Sequence, residues 1–129
     1  MTMNKKSAAG PRLTRLEAGF EPGYLADFIS VLGAEKAIHW MDHLGGLLAV
    51  TFSNDNQDPN KLKDTAHAMI SQAGTLGFVE LARRSARLEE AILANGSYLD
   101  ELQDVQKEAH RVCDALTRLK TEIALGEHF

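Results

Sequence analysis

Apolar residues recur every three or four positions along most of the chain, which is the spacing typical of an amphipathic α-helix. No stretch alternates apolar and polar residues for long enough to predict a β-strand. Breaks in the helical pattern divide the chain into five predicted helices, over residues 24–32, 34–52, 59–76, 78–94 and a last one that follows Ser97. The sequence therefore predicts an all-α fold.

Capping signals support these boundaries. The polar run over residues 53–58 predicts a loop, and Asp58 followed by Pro59 is the combination expected of a helix cap and a first-turn proline. Ser97 with Asp100 three residues later predicts a capping box at the start of the last helix.

Four of the predicted helices are amphipathic and joined by short connections, so we expect an antiparallel four-helix bundle. The short first helix is expected to cap one end of it. On the third helix the predicted core stripe is Leu62, Ala66, Met69, Ala73 and Leu76. On the fourth helix it is Leu81, Ser85, Leu88 and Ile92.

Composition narrows the range of functions. The chain has 129 residues, enough for one domain with its own core, and a net charge of -4 that argues against nucleic-acid binding. Its only cysteine, Cys113, has no partner for an internal disulfide, which fits a cytoplasmic location, and we expect this residue to be an unreactive, half-buried side chain. No apolar run is long enough to insert in a membrane. We expect a cytoplasmic monomer.

Charge is distributed unevenly, because the first twenty residues carry four basic side chains and one acidic one. This segment mixes small and basic residues without the apolar run of a signal peptide. We predict that residues 1–20 form a disordered basic arm and that residues 21–129 form the helical domain.

His67 lies outside the core stripe of the third helix. With about 100° per residue and Leu62 as zero, His67 falls near 140° and Lys63 near 100°. The imidazole is therefore expected to be exposed to solvent. An ordinary surface histidine without a function is the alternative interpretation.

Small residues surround His67 on the predicted helix surface, among them Ala68, Ser71 and Gly74. Glycine inside a helix costs roughly 1 kcal/mol relative to alanine, so Gly74 needs a reason. One reason is the close approach of another molecule, and the alternative is relaxed packing near the helix end at Gly77.

The fourth helix carries a second apolar strip beside its core stripe, formed by Val79, Ala82, Ala86 and Leu93. Extra apolar surface of this kind often marks a partner site. Glu89 lies at the edge of the strip. If the third and fourth helices pack side by side, its carboxylate accepts a hydrogen bond from His67 and makes the other imidazole nitrogen a better nucleophile. The alternative is a solvated acid paired with Arg83 or Arg87.

The run AHAMISQAGTLGF over residues 66–78, followed by LEEA at residues 88–91, resembles the histidine-containing phosphotransfer (HPt) domain of multistep phosphorelays. The resemblance implies a four-helix bundle in which His67 exchanges a phosphoryl group with an aspartate on a response-regulator receiver domain. It implies receiver domains, a hybrid histidine kinase or both as partners, and Mg²⁺ on the receiver. The chain has no glycine-rich nucleotide loop, so we expect a phosphocarrier without kinase activity and without a cofactor of its own.

The resemblance also implies roles for the residues around His67. Glu89 stands where the family often has a glutamine that orients the imidazole. Ile70 and Ser71 replace the usual lysine and glycine, which leaves Lys63 as the nearby cation expected to stabilise the phosphoryl group. The residues expected to contact the receiver are Ile70, Ser71, Gly74, Phe78, Val79, Ala82 and Ala86.

Two other functions remain open at this stage. Ile70 and the apolar strip of the fourth helix are also compatible with a degenerate module that binds receivers without phosphotransfer. His39 and His43, four residues apart with Glu35 one turn earlier, would suit a metal-binding bundle, although the other predicted core stripes offer no inward ligands.

Overall fold

The computed structural model describes residues 19–52 and 58–126. Most of the predicted arm, residues 1–18, and most of the predicted loop, residues 53–57, lie outside the described residues. The helices are α1 (Pro22–Leu32), α2 (Ala34–Phe52), α3 (Pro59–Leu76), α4 (Val79–Leu93) and α5 (Leu99–Ala124).

The four long helices pack in a ring. Helix α3 packs against α2 and α4, and α5 closes the ring by contacting both α4 and α2. Helix α1 covers one end through contacts with α2 and α3. The predicted all-α bundle with an additional N-terminal helix is confirmed.

The predicted core stripes of α3 and α4 are buried. All five predicted positions on α3 are fully buried, as are Leu81, Ser85 and Leu88 on α4, and Ile92 is 8% exposed. The stripes meet similar ones from α2 and α5 in a single core. Burial of large apolar side chains, at about 1.5 to 3 kcal/mol each, is the main force that holds the helices together. It also fixes which side of α3 faces solvent.

The ends of the helices differ in how well the sequence predicted them. Asp58 caps α3 as expected, because its side chain accepts a hydrogen bond from the Asn60 backbone N–H at 2.9 Å. The predicted capping box at Ser97 is wrong. The first backbone bond of α5 runs from the Leu102 N–H to the Tyr98 carbonyl, so Tyr98 is the N-cap residue and Ser97 stands one position too early.

The predicted boundary of the arm also needs correction. Phe20 is 6% exposed, and its ring lies 4.9 Å from the ring of Phe78. The backbone continues this contact, since the Glu21 N–H donates to the Gly77 carbonyl at 2.7 Å. Gly19 and Phe20 therefore belong to the folded domain, because the α3–α4 turn offers an apolar surface for the phenylalanine.

Candidate functional site

His67 lies halfway along α3 on the side that faces away from the core. Its side chain is 76% exposed, which agrees with the helical spacing from Leu62. The sequence places the imidazole in solvent because the core-facing positions before and after it, Ala66 and Met69, are fully buried.

Glu89 on α4 reaches the same place. His67 Nδ1 donates a hydrogen bond to Glu89 Oε2 across 2.8 Å, and the carboxylate side chain is only 23% exposed. A carboxylate oxygen accepts, so Nδ1 carries the proton and Nε2 of the neutral ring keeps its lone pair. The pair therefore presents one nucleophilic nitrogen to solvent in a fixed ring orientation.

Helix packing creates this pair from residues that are 22 positions apart. Helices α3 and α4 are joined by the two-residue turn at Gly77 and Phe78 and run side by side. Leu88, directly before Glu89, is fully buried and sets the rotation of α4. Glu89 is thereby directed along the edge of the interface with α3.

The predicted contact residues other than Phe78 are at least partly exposed. Ser71 and Ala86 are exposed, while the others are half-buried, namely Ile70, Gly74, Val79 and Ala82. Lys63, one turn before His67, is half-buried as well.

Phe78 is an exception, and its predicted role as a contact residue is wrong. The side chain is 3% exposed and packs against Phe20. It stands at the N-cap position of α4, where the turn directs it into the core instead of toward the His67 side.

Gly74 has room around it. A methyl group added there would meet only Ala82 Cβ, at 3.9 Å, which is an ordinary van der Waals contact. Internal packing therefore does not require glycine at this position.

Sequence reasoning missed a groove beside Gly74. It has a volume of about 340 Å³ between α1 and α3 and is lined by Tyr24, Asp27, Phe28, Val31, Gly74 and Thr75. Tyr24 is 52% exposed and Val31 is 79% exposed. Two apolar side chains seven positions apart on α1, outside its core stripe, were the signal in the sequence that would have indicated this groove.

The predicted three-ligand set Glu35, His39 and His43 is not assembled. Within residues 19–52 and 58–126, no three or more histidine, cysteine, aspartate or glutamate side chains group in a way that would hold a metal ion. His43 Nδ1 instead donates to Gln72 Oε1 at 2.8 Å, which ties α2 to α3.

Cys113 is half-buried, as predicted. Burial raises the pKa of its thiol because a thiolate is poorly solvated there, and the negative charge of Asp114 adds to the effect. The thiol is therefore a weak nucleophile at neutral pH.

A comparison with known protein families matches residues 25–123 to the Hpt domain, which covers all five helices nearly end to end. The chain belongs to the Hpt domain family. Hpt domains are phosphocarrier modules that act in phosphorelays and interact with response-regulator receivers and kinases. No curated protein and no solved structure matched the chain. Among the described residues of this Hpt domain, no helix has the length and apolar character needed to cross a bilayer.

Proposed function

We propose that His67 is the phosphoacceptor of this Hpt domain and exchanges its phosphoryl group with the aspartate of a receiver domain. The observation that carries the proposal is the hydrogen bond from His67 Nδ1 to Glu89, combined with an imidazole that is three-quarters exposed. The bond fixes the tautomer, and exposure gives the aspartyl phosphate access to Nε2.

In the transfer, the Nε2 lone pair attacks phosphorus and forms the N–P bond. The bond between phosphorus and the aspartate oxygen breaks, and its electron pair returns to the aspartate carboxylate. The Nδ1 proton stays in place, so the phosphorylated ring is a cation paired with the Glu89 carboxylate. In the reverse direction a receiver aspartate attacks phosphorus, and the neutral imidazole leaves. Both directions depend mainly on positioning and charge stabilisation.

Glu89 is a positioning residue in this scheme. Glu89→Gln keeps an oxygen that accepts from Nδ1 but removes the negative charge, whereas Glu89→Ala removes both. We expect the first variant to transfer more slowly and the second to lose about tenfold or more in rate at saturating receiver, with affinity for the receiver unchanged. A change in affinity alone would show that Glu89 acts in docking and not on the ring.

Stabilisation of the phosphoryl oxygens is the step where this chain departs from its family. Ile70 offers no charge, so in our proposal Lys63 and the Ser71 hydroxyl take over the task. Ile70→Lys is expected to raise the transfer rate or lengthen the lifetime of the phosphohistidine. If neither quantity increases, the absence of a lysine at position 70 does not weaken stabilisation of the phosphoryl group.

The partner is a receiver domain, alone or as part of a hybrid histidine kinase. In this proposal Mg²⁺ belongs to the acidic pocket of the receiver, and this chain contributes the imidazole. The small side chains at Ser71, Gly74, Ala82 and Ala86 let that pocket approach His67. A standard interface covers about 800 Å² on each partner, which is enough to extend from His67 to the groove at Tyr24 and Val31.

The deciding experiment measures phosphoryl transfer from phosphorylated receivers of the source genome. We expect label on the wild-type protein and none on His67→Gln. His110→Gln is the matched control, because His110 is also exposed but lies on α5 with its ring 4.5 Å from that of Phe52. Label on His67→Gln equal to that on the wild type would overturn the assignment.

Ile70 favours a second candidate, a degenerate Hpt module that binds receivers without accepting phosphate. A half-buried isoleucine where the family has a cation suits docking better than phosphate stabilisation. This candidate is supported if receivers bind the wild-type protein while label never reaches it from any of them.

A further inference from the structure

A crevice between α2 and α3 combines two histidines, a tryptophan and a glutamine. It has a volume of about 260 Å³ and is lined by His39, Trp40, His43 and Gln72. Both histidines are exposed and stand one turn apart on α2. Side chains four residues apart are neighbours on a helix, and two histidines at this spacing chelate one metal ion in helical zinc sites.

The contact with Gln72 prepares His43 for such a role. Because His43 Nδ1–H donates to Gln72 Oε1 at 2.8 Å, Nε2 of the neutral ring is left with its lone pair. Metal-binding histidines characteristically donate their second nitrogen to an oxygen acceptor, which fixes both ring orientation and tautomer. The bond joins residues 29 positions apart, so the packing of α2 on α3 creates it.

We propose that this crevice binds one divalent late transition-metal ion through His39 and His43, with water in the remaining positions. Imidazole nitrogens suit Cu²⁺, Ni²⁺ and Zn²⁺, and the general order of affinities places Cu²⁺ first. Since Gln72 is occupied by His43, the site has two protein ligands and stays open and exchangeable. The site is independent of the function proposed for His67.

The two sites face different directions. Around the axis of α3, Gln72 lies about 140° from His67 at about 100° per residue. A metal ion in the crevice therefore leaves the His67 side open to a partner. We expect His67→Gln to bind the ion like the wild type.

The test uses the untagged 129-residue chain and a titration with Cu²⁺. Trp40 is the only tryptophan in the chain and lines the crevice, so a bound Cu²⁺ ion is close enough to quench its fluorescence. We expect saturable quenching at one equivalent, and electron paramagnetic resonance should show two coordinating nitrogens. His39→Gln and His43→Gln should each weaken binding by more than about tenfold and leave one nitrogen.

Gln72 supplies a second test through the orientation of His43. Gln72→Leu removes the acceptor and should weaken Cu²⁺ binding by about tenfold, whereas Gln72→Glu keeps an acceptor and should restore it. His110→Gln is the control for unspecific binding to an exposed histidine and should bind like the wild type. Thermal unfolding shows whether each variant is folded.

Two results would overturn the proposal. One is a double variant, His39→Gln with His43→Gln, that is folded and binds Cu²⁺ as tightly as the wild type. The other is a wild-type protein whose Trp40 fluorescence does not respond to Cu²⁺. Both outcomes leave the assignment of His67 unaffected, because transfer from receivers is measured separately.

Discussion

Gly74 and Gly77 stand three residues apart at the end of α3, yet their surroundings are opposite. A Cβ at Gly74 would touch only Ala82, at 3.9 Å. A Cβ at Gly77 would lie 2.4 Å from the Glu21 carbonyl oxygen, and the backbone there has φ of +100°. The fold would accept another residue at Gly74, but it requires glycine at Gly77. A side chain can therefore be added at Gly74 without a steric clash, whereas the turn between α3 and α4 at Gly77, which we call the α3–α4 corner, needs glycine.

The corner at Gly77 is built by several elements. The Phe78 N–H donates to the Ala73 carbonyl at 2.8 Å, which closes α3 with a left-handed cap. Glu21 pairs with the turn, and the Gly19 carbonyl accepts from the Glu80 N–H at 3.2 Å. A change here disturbs three segments of the chain at once.

The largest expected effect is therefore at Gly77. Gly77→Ala combines a left-handed backbone that alanine adopts poorly with a steric clash against Glu21 backbone. We expect it to lower the free energy of unfolding by about 2 to 4 kcal/mol. Chemical denaturation measures the change. A loss below about 1 kcal/mol would show that the corner relaxes at little cost and would remove the contrast with Gly74.

A bulky residue at Gly74 tests whether this position matters for receiver binding and not for folding. Gly74→Leu is expected to weaken receiver binding by about tenfold, equivalent to about 1.4 kcal/mol, because the side chain projects into the surface around His67. Thermal unfolding should change little. If stability collapses while receiver binding persists, Gly74 serves internal packing.

Glu80 lies next to the α3–α4 corner, and its carboxylate allows a test of how much charge interactions there contribute to stability. Hydrogen bonds from Arg83 and Arg84 lower the pKa of its carboxyl from 4.5 to about 2. Because the folded-state pKa is the lower one, the stability that this group contributes is fully present above pH 4.5 and is lost as the pH falls toward 2.

The variant Glu80→Gln should therefore destabilise the domain by about 1 kcal/mol at pH 7, since the arginines partly face solvent. The difference from the wild type should shrink between pH 4.5 and 2. Urea denaturation at a series of pH values measures it. A difference that does not depend on pH would show that charge is not the cause.

The smallest expected effect is a gain in stability. Gly74→Ala adds a methyl group in ordinary van der Waals contact with Ala82 and improves helix propensity, so the free energy of unfolding should rise by about 0.5 to 1 kcal/mol. Its matched control is Gly77→Ala, which adds the same methyl group but is expected to lower the free energy of unfolding. A loss of stability in Gly74→Ala would mean that α3 and α4 are closer than the 3.9 Å contact indicates.

Helical spacing predicted the exposure of several site residues. It failed where contacts with another segment of the chain determine whether a side chain is buried. The exposure of His67 followed from its angle to Leu62, since both belong to one helix. Phe78 was expected to contact the receiver domain, as part of the run that resembles the HPt family. It is buried because Phe20, 58 positions earlier, packs on it, and no local pattern indicates such a partner.

The sequence by itself determined the all-α class, the core stripes, the Asp58 cap and the outward direction of His67, because each depends on spacing within a helix. Only the tertiary structure decided that Glu89 meets Nδ1, that Gln72 meets His43, and that Gly74 is open while Gly77 is enclosed. These features depend on the rotation and register of one helix against another. The packing of side chains distant in sequence determines this rotation and register. The spacing of apolar residues along a single helix therefore cannot predict these features.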